Sequence, residues 1–548
     1  MQLPVEVPRK FWPVLIFLFT VFLALGAAGW KRTLEEATGH AGIGEVFENV
    51  AEMVTGHDVI VVDHKYDENW MLVLGKWGIK AVLGIALLRS VLVLFRRQIR
   101  MWRFRKVRAH QVFVGLGGQN ADLALREAQR GATVAVLAED EHHPRRGELE
   151  EAGALVIPGM PTDPQALRNV GVERAARVVV AAAAGDDEGI ASAEVVAAMP
   201  GTGKNTPGDR EILVCLDCRQ TRDLLNRRWK LINSAEPGST TKIVSFESAA
   251  LRQMVTGMAR DLAAVSDATL RPPCILVVAN GDFAREFLHA AISFVQISGD
   301  LLPEYWVAVE NPEEELDFAR LHPAADLVAR VNFFVAREAV VPVSPALAGK
   351  AFDLAIVKQT GESRTLHLAA RLLDSPLFAT TRAEAIVTDP IKTRLTEDGR
   401  LRVSSLFELG LNSPEFGDFT LEEKARANHE AYLADLPPAD RAKGGEWRDL
   451  PENIKESNRR AVLHREIKRE IWERTPEAGL ASMFEHLAIC EHQRWMGEKA
   501  MDGWRHGDLP EQDRKRRLHP SLIPWEELSE SEKEKDRVQV RKALGLVD

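Results

Sequence analysis

The chain is 548 residues long, enough for three or four domains of roughly 100–200 residues each. With 45% hydrophobic and 27% charged residues it is neither wholly disordered nor a polytopic membrane protein. A net charge of −10 argues against a protein that coats nucleic acid, and four cysteines are too few for a disulfide framework.

Phe11 to Trp30 contains no charged residue, and such a run of about 20 suffices to cross a bilayer core as a helix. Trp12 and Trp30 stand near its ends, where amphipathic aromatics favour the interface. Arg9 and Lys10 give a cleaved signal peptide as the alternative, disfavoured by the length of the run and by a second apolar run behind it. That second run, about Met71 to Phe95, carries Lys76, Lys80 and Arg89. Lys76 lies near an end and can snorkel. Lys80 and Arg89 lie deeper, where a charge costs roughly 2.5–3.5 kcal/mol at the centre, and their spacing puts them on opposite helix faces. Arg96, Arg97, Arg100, Arg103, Arg105, Lys106 and Arg108 follow, whereas the loop from Lys31 to Asn69 is acidic. Basic charge marks the cytoplasmic side. The expected topology is therefore two spans in the cell (inner) membrane, both termini cytoplasmic and the acidic loop outside. Because the basic cluster abuts a span, it reads as a contact to the lipid bilayer rather than to nucleic acid.

From Gln111 the pattern changes. An apolar strand (Val112 to Val114), a glycine turn, a helix and a second strand (Thr133 to Leu137) ending at Glu139 follow one another. Gly115, Gly117 and Gly118 match the first part of a dinucleotide fingerprint, and Asn120 takes the place of its last glycine. The first glycine makes the tight turn; the second lets backbone amides approach a pyrophosphate at the helix N-terminus. Glu139 stands where an acid accepts the ribose hydroxyls. The expected ligand is NAD or a related nucleotide. Cys215 and Cys218 lie in an apparent strand, where positions three apart face opposite sides, so no metal or redox site is expected from them.

The alternation continues through Ala154 to Asp163 and Ala176 to Met199. The whole resembles the TrkA-N or RCK regulatory domain of potassium channels and transporters. Gly159, Thr162 and Asp163 stand for the family's third-strand end, and the acids after Ala181, including Asp187, for its fourth. The resemblance adds Asp163 and Asp187 to the cofactor-binding residues; Gly189 replaces the family's asparagine. A second, worn copy follows. Cys274 to Ile292 and Tyr305 to Pro312 repeat strand, turn, helix and strand, keeping only Gly281 of the glycines and Glu310 as a strand-end acid. This copy is expected to bind nothing in its crevice.

Beyond Glu422 the sequence is charged, helical in style and rich in tryptophan. Trp447, Leu450, Glu452, Lys455, Glu456 and Arg459 recur 78 positions later as Trp525, Leu528, Glu530, Lys533, Glu534 and Arg537, and His429 to Tyr432 answers His492 to Trp495. The residues Glu491, His492, Trp495, Lys499, Gly503, Trp504, His519, Pro520, Pro524, Trp525 and Leu528 resemble the RyR domain, the repeat first known in ryanodine receptors. Large aromatics are mostly buried, so a tryptophan core with a hydrogen-bonded His492 is one reading. The other is a ligand cleft between the halves, lined by His429, Tyr432, Trp447, His492, Trp495, Trp504, His519 and Trp525.

The expected fold class is thus α/β, Rossmann-like tandem RCK-type domains (107–262 and 263–415), preceded by two transmembrane helices within 1–106 and followed by an all-α RyR domain (421–548). The resemblances imply a homo-oligomer, by family a tetramer, acting as a ligand-gated ion channel or channel-like regulator that senses a small nucleotide-type ligand. The alternative is a membrane-anchored nucleotide-sensing effector without a selective pore, in stress or antiviral signalling. Val54-Thr-Gly-His-Asp is not a potassium filter of the Thr-Val-Gly-Tyr-Gly type. No acid–base constellation follows the Rossmann pattern, so no catalytic residue and no enzyme is expected.

Overall fold

The structure is a computed structural model and describes residues 11–546 apart from 56–69, 95–103, 105, 118, 182–184, 201–209, 217–220, 223–224, 226–238, 265–270, 280, 389–398, 418–419, 436–440, 442–444, 448–449 and 510. The basic residues Arg96 to Arg105, Gly118 and Cys218 lie outside the described residues. The chain divides into two compact units, Met1–Val107 and Arg108–Asp548.

The N-terminal unit holds α1 (Phe11–Thr38), α2 (Ile43–Thr55) and α3 (Trp70–Leu94). Pro13–Glu36 and Trp70–Val91 are long and apolar enough to cross a membrane. Glycines let α1 and α3 meet backbone to backbone. A Cβ on Gly75 would lie 2.6 Å from the Gly26 backbone, and one on Gly29 would lie 2.5 Å from the Leu72 nitrogen. The short helix α2 folds back onto this pair. Its Met53 packs on Gly26 and, with Leu72 and Ile79, forms a small core joined by Phe19, Phe22, Leu23 and Val50. Glu45, Glu48, Asn49 and Glu52 recur at helical spacing on a second, polar stripe of α2. Gly75→Val is expected to cost about 1–3 kcal/mol by overpacking. Gly84→Val, where a Cβ meets nothing within 4 Å, is the neutral control, and thermal unfolding in detergent reads both.

The C-terminal unit begins with β1 (His110–Val114), α4 (Asn120–Gln129), β2 (Val134–Ala138), α5 (Arg146–Glu151), β3 (Leu155–Pro158), α6 (Pro164–Asn169), β4 (Ala175–Val180), α7 (Asp186–Ala198), β5 (Arg210–Cys215) and β6 (Ser239–Val244). The strands form one parallel sheet in the order β3-β2-β1-β4-β5-β6. Their apolar, often β-branched runs are buried on both faces, as a sheet covered by crossover helices requires. A long helix, α8 (Phe246–Ala263), leads to the second set: β7 (Cys274–Ala279), α9 (Gly281–Phe294), β8 (Glu304–Val309), α10 (Glu313–Leu321), β9 (Arg330–Val335), β10 (Leu354–Lys358), α11 (Glu362–Asp374), β11 (Arg382–Val387) and β12 (Leu401–Ser405). Its order, β12-β11-β10-β7-β8-β9, is the same winding. Both sheets are therefore Rossmann-like, with the strand order reversing beside the first strand of each.

The two copies also end alike. Ser245 Oγ accepts the Ser248 amide at 3.3 Å to cap α8, and Ser405 Oγ accepts the Glu408 amide at 3.2 Å to cap α12 (Leu406–Leu411). Gly410 of α12 lets the Phe246 ring lie where its Cβ would be, at 2.3 Å. After α13 (Pro414–Gly417) the chain is mainly helical, in α14 (Thr420–Asp435), α15 (Glu452–Arg474), α16 (Leu480–Met501) and α17 (Glu530–Leu544). A short parallel pair, β13 (Arg505–His506) and β14 (Leu518–His519), lies between α16 and α17, so the region expected to be all-α is not purely helical. One continuous apolar core runs from Ile275, Phe287 and Ala291 of the second sheet to Ile467, Leu487, Met496 and Val540 of these helices. The helical region is fused to the second α/β copy, with Gly497 of α16 against the Ile292 carbonyl of α9.

Candidate functional site

The first crevice opens where β1 and β4 part, at the carboxyl ends of the strands. Gly115 has φ +79°, a conformation that only glycine adopts readily, and its amide donates to the Leu137 carbonyl at 2.9 Å. The Gly117 amide donates to the Ala181 carbonyl (3.1 Å), and the Ala181 amide donates to the Val114 carbonyl (3.0 Å). The turn is thereby laced to the end of β4 by backbone alone. Asn120 opens α4, buried, with Nδ2 donating to the Gly115 carbonyl at 2.7 Å. It replaces the last glycine by bracing the turn from inside. Glu139 follows β2, half-buried, and Asp187 stands exposed in the first turn of α7.

Asp163 is placed differently. Its Oδ1 accepts the Gln165 amide (2.9 Å) and its Oδ2 the Ala166 amide (3.3 Å), so both oxygens cap α6. Arg145 was missed from sequence: its guanidinium pairs with Asp122 of α4 at 2.6 Å and with Glu148 at 2.9 Å, tying the segment after Glu139 to the turn helix.

In the C-terminal helices, five of the eight cleft candidates converge. His492 lies between the Ile523 carbonyl (2.9 Å) and the Asp536 carboxylate (3.3 Å), with Trp495 and Trp525 at ring distances of 5.7 and 5.9 Å. His519 meets Trp495 edge-on at 4.8 Å and Trp504 at 6.2 Å. Lys499 lies over Trp504, and Lys533 and Arg537 lie over Trp525. His429, Tyr432 and Trp447 belong to the other half: His429 contacts the Gly445 carbonyl (3.2 Å) and the Trp447 ring (5.9 Å), and Tyr432 is exposed.

The halves are copies in space. Lys455 lies over Trp447 as Lys533 lies over Trp525. Arg459 grips Glu422 with two hydrogen bonds (2.7 and 3.0 Å), and Arg537 grips Glu485 the same way (2.9 and 2.7 Å). The signal for this pairing is a second sequence offset: Glu422 to Glu485 and His429 to His492 are both 63 apart, against 78 for the later residues.

Burial pushes His519 down to about 4, with Lys499 adding to the effect, and burial likewise pushes His110, at the start of β1, down to about 4. Both are neutral in the fold and charge more readily when unfolded. Their contribution is fully present above the ordinary histidine value of about 6.5 and is lost as pH falls towards 4. The thermal midpoint should therefore drop across that window, and His110→Gln should flatten the slope.

Residues 476–547 match the family model of the RyR domain. That is the half containing α16 and α17; the similarity read from sequence begins earlier, at Leu421. Comparison with curated proteins gives no match. Among solved structures, the chain is similar to the GsuK channel bound to NAD (12% identity, 79% of this chain and 88% of that one, TM-score 0.39). It is also similar to GsuK bound to ADP (14%, 74% and 96%, 0.37) and to the GsuK RCK domain (12%, 61% and 82%, 0.36).

Proposed function

We propose that the protein is a homo-oligomeric membrane channel, tetrameric by family resemblance, whose opening responds to a nucleotide bound in the first crevice. The observation that carries the pore is α2. Met53 packs on Gly26, four residues inward of Trp30, which at 1.5 Å per residue is about 6 Å below the outer end of that apolar run. A helix that re-enters hydrocarbon with Asn49 and Glu52 on a polar stripe is tolerated only against protein or water. Neighbouring subunits and a water-filled path supply both. The basic residues that follow α3 in the sequence are of the kind that anionic headgroups attract, at about 1 kcal/mol each near such a surface.

The first crevice supports the ligand class. With no side chains on Gly115 and Gly117, a phosphate can approach the turn and the N-terminus of α4, and Glu139 meets ribose. In the RyR domain, the partly exposed Trp495 and His519, with Lys499 over the buried Trp504, provide a surface on which a base can stack next to a cation. Ligand binding then shifts the domains and, through the linker, the third helix. The sequence Val54-Thr-Gly-His-Asp lacks the potassium-filter motif, which favours a pore without potassium selectivity, or an effector that acts on the membrane without one. Calorimetry of the full-length protein with NAD and with ATP tests the ligand reading: micromolar-range binding of either is expected, and absence of heat with both contradicts it.

A further inference from the structure

We propose that the second α/β copy holds no nucleotide and that Glu314 is its resident anion, so that each chain carries a single Rossmann nucleotide site. This rests on the reading of the first crevice as a nucleotide site. Three separate features close the second one.

The phosphate turn is missing. Five residues, Gly115 to Gln119, separate β1 from α4, whereas a single residue separates β7 from α9. A turn of one residue cannot bend around a pyrophosphate and present successive amides to it.

The start of α9 is already occupied by a carboxylate. A Cβ on Gly281 would lie 2.7 Å from Glu314 Oε2, so this side chain of α10 sits on the first turn of α9. The helix N-terminus carries partial positive charge and favours an anion there. Glu314 is that anion, with Glu313 and Glu315 beside it and Asp282 on the first turn itself. An incoming phosphate would have to displace one carboxylate and approach the others at like charge.

The switch point is bridged by a side chain. Gln359, after β10, donates from Nε2 to the Val278 carbonyl of β7 (3.3 Å), while its amide donates to Thr365 Oγ1 (3.0 Å). The first copy makes the corresponding bridge with the backbones of Gly117 and Ala181 rather than with a side chain. The second copy instead commits α9 to the RyR domain. Gly497 would place a Cβ 3.0 Å from the Ile292 carbonyl, and the Gly299 amide donates to Cys490 Sγ at 3.3 Å. The copy has become an adaptor that carries the helical domain.

The test is photolabelling of the full-length protein in detergent with azido-ATP and an azido derivative of NAD, followed by mass-spectrometric mapping with and without excess unlabelled nucleotide. Competed label is expected on peptides within 110–200 and, on peptides within 274–315 and 354–388, at less than a tenth of that level. Gly115→Val should remove the first label, and Gly281→Val should leave it unchanged. Competed label on the second-copy peptides, in the wild type or in Gly115→Val, overturns the proposal. Absence of label from both copies leaves the second crevice closed and removes the reading of the first.

Discussion

Glu491→Gln is expected to lower the stability of the C-terminal unit by about 3–5 kcal/mol, the usual cost of breaking a buried ion pair from one side. Glu491 is 2% exposed, and it is shared by one buried cation from each helix, Lys468 of α15 and Arg494 of α16. Lys468 of α15 donates to its Oε2, and Arg494 of α16 grips both oxygens at 3.0–3.1 Å. Burial alone would push the carboxyl up, but Arg494 and Lys468 together hold it well below the ordinary carboxylate range. Glutamine keeps the shape and removes the charge, leaving Lys468 and Arg494 facing each other, with Glu498, shared with Lys499, as the remaining carboxylate of Arg494 at 3.2 Å. Denaturant unfolding reads the change. Lys468→Met in the Glu491→Gln background should recover part of the loss, because it removes one of the stranded charges. An unchanged midpoint in the single variant would contradict this account of how α15 and α16 are held together.

The second large effect is on binding. Gly115→Val should weaken nucleotide affinity at least 100-fold, about 3 kcal/mol. A β-branched residue cannot take φ +79° without strain, and its side chain would stand where backbone must meet phosphate. Gly281→Val should leave the affinity within about twofold, since that glycine faces Glu314 rather than a ligand. Titration calorimetry of both variants against NAD and ATP measures the contrast. Equal losses in the two would mean that the crevices are equivalent.

Much of the fold was legible because its signals are local. Apolar β-branched runs, a glycine turn and a helical pattern recur in order, and they mark both α/β copies. The tryptophan spacing marks the helical repeat before any contact is known. Asp163 is the instructive departure. The family resemblance placed it at the ligand, yet Asp163-Pro164 is itself a helix-start signature, an acceptor at the N-cap before proline at the first helical position, and the cap uses both oxygens. Glu314 and Gln359 could not be assigned a role from sequence, because each acts through a contact with another strand or helix. The same holds for the cleft candidates: His429, Tyr432 and Trp447 share a pattern with His492, Trp495 and Trp525, but a repeat gives two equivalent clusters rather than one shared cleft. The matched Arg–Glu grips at Glu422 and Glu485 stayed hidden because the connection within the second half is longer by 15 residues, which splits the repeat into two offsets.

The central claim is a nucleotide-controlled pore, and ion flux from liposomes reconstituted with the full-length protein tests it most directly. Flux of monovalent ions should change several-fold on adding NAD or ATP to the side exposing the C-terminal unit, and Gly115→Val should abolish that response while leaving the protein inserted. Liposomes that stay tight with and without nucleotide, although the same protein binds nucleotide in calorimetry, would contradict the pore and leave a membrane-anchored sensor.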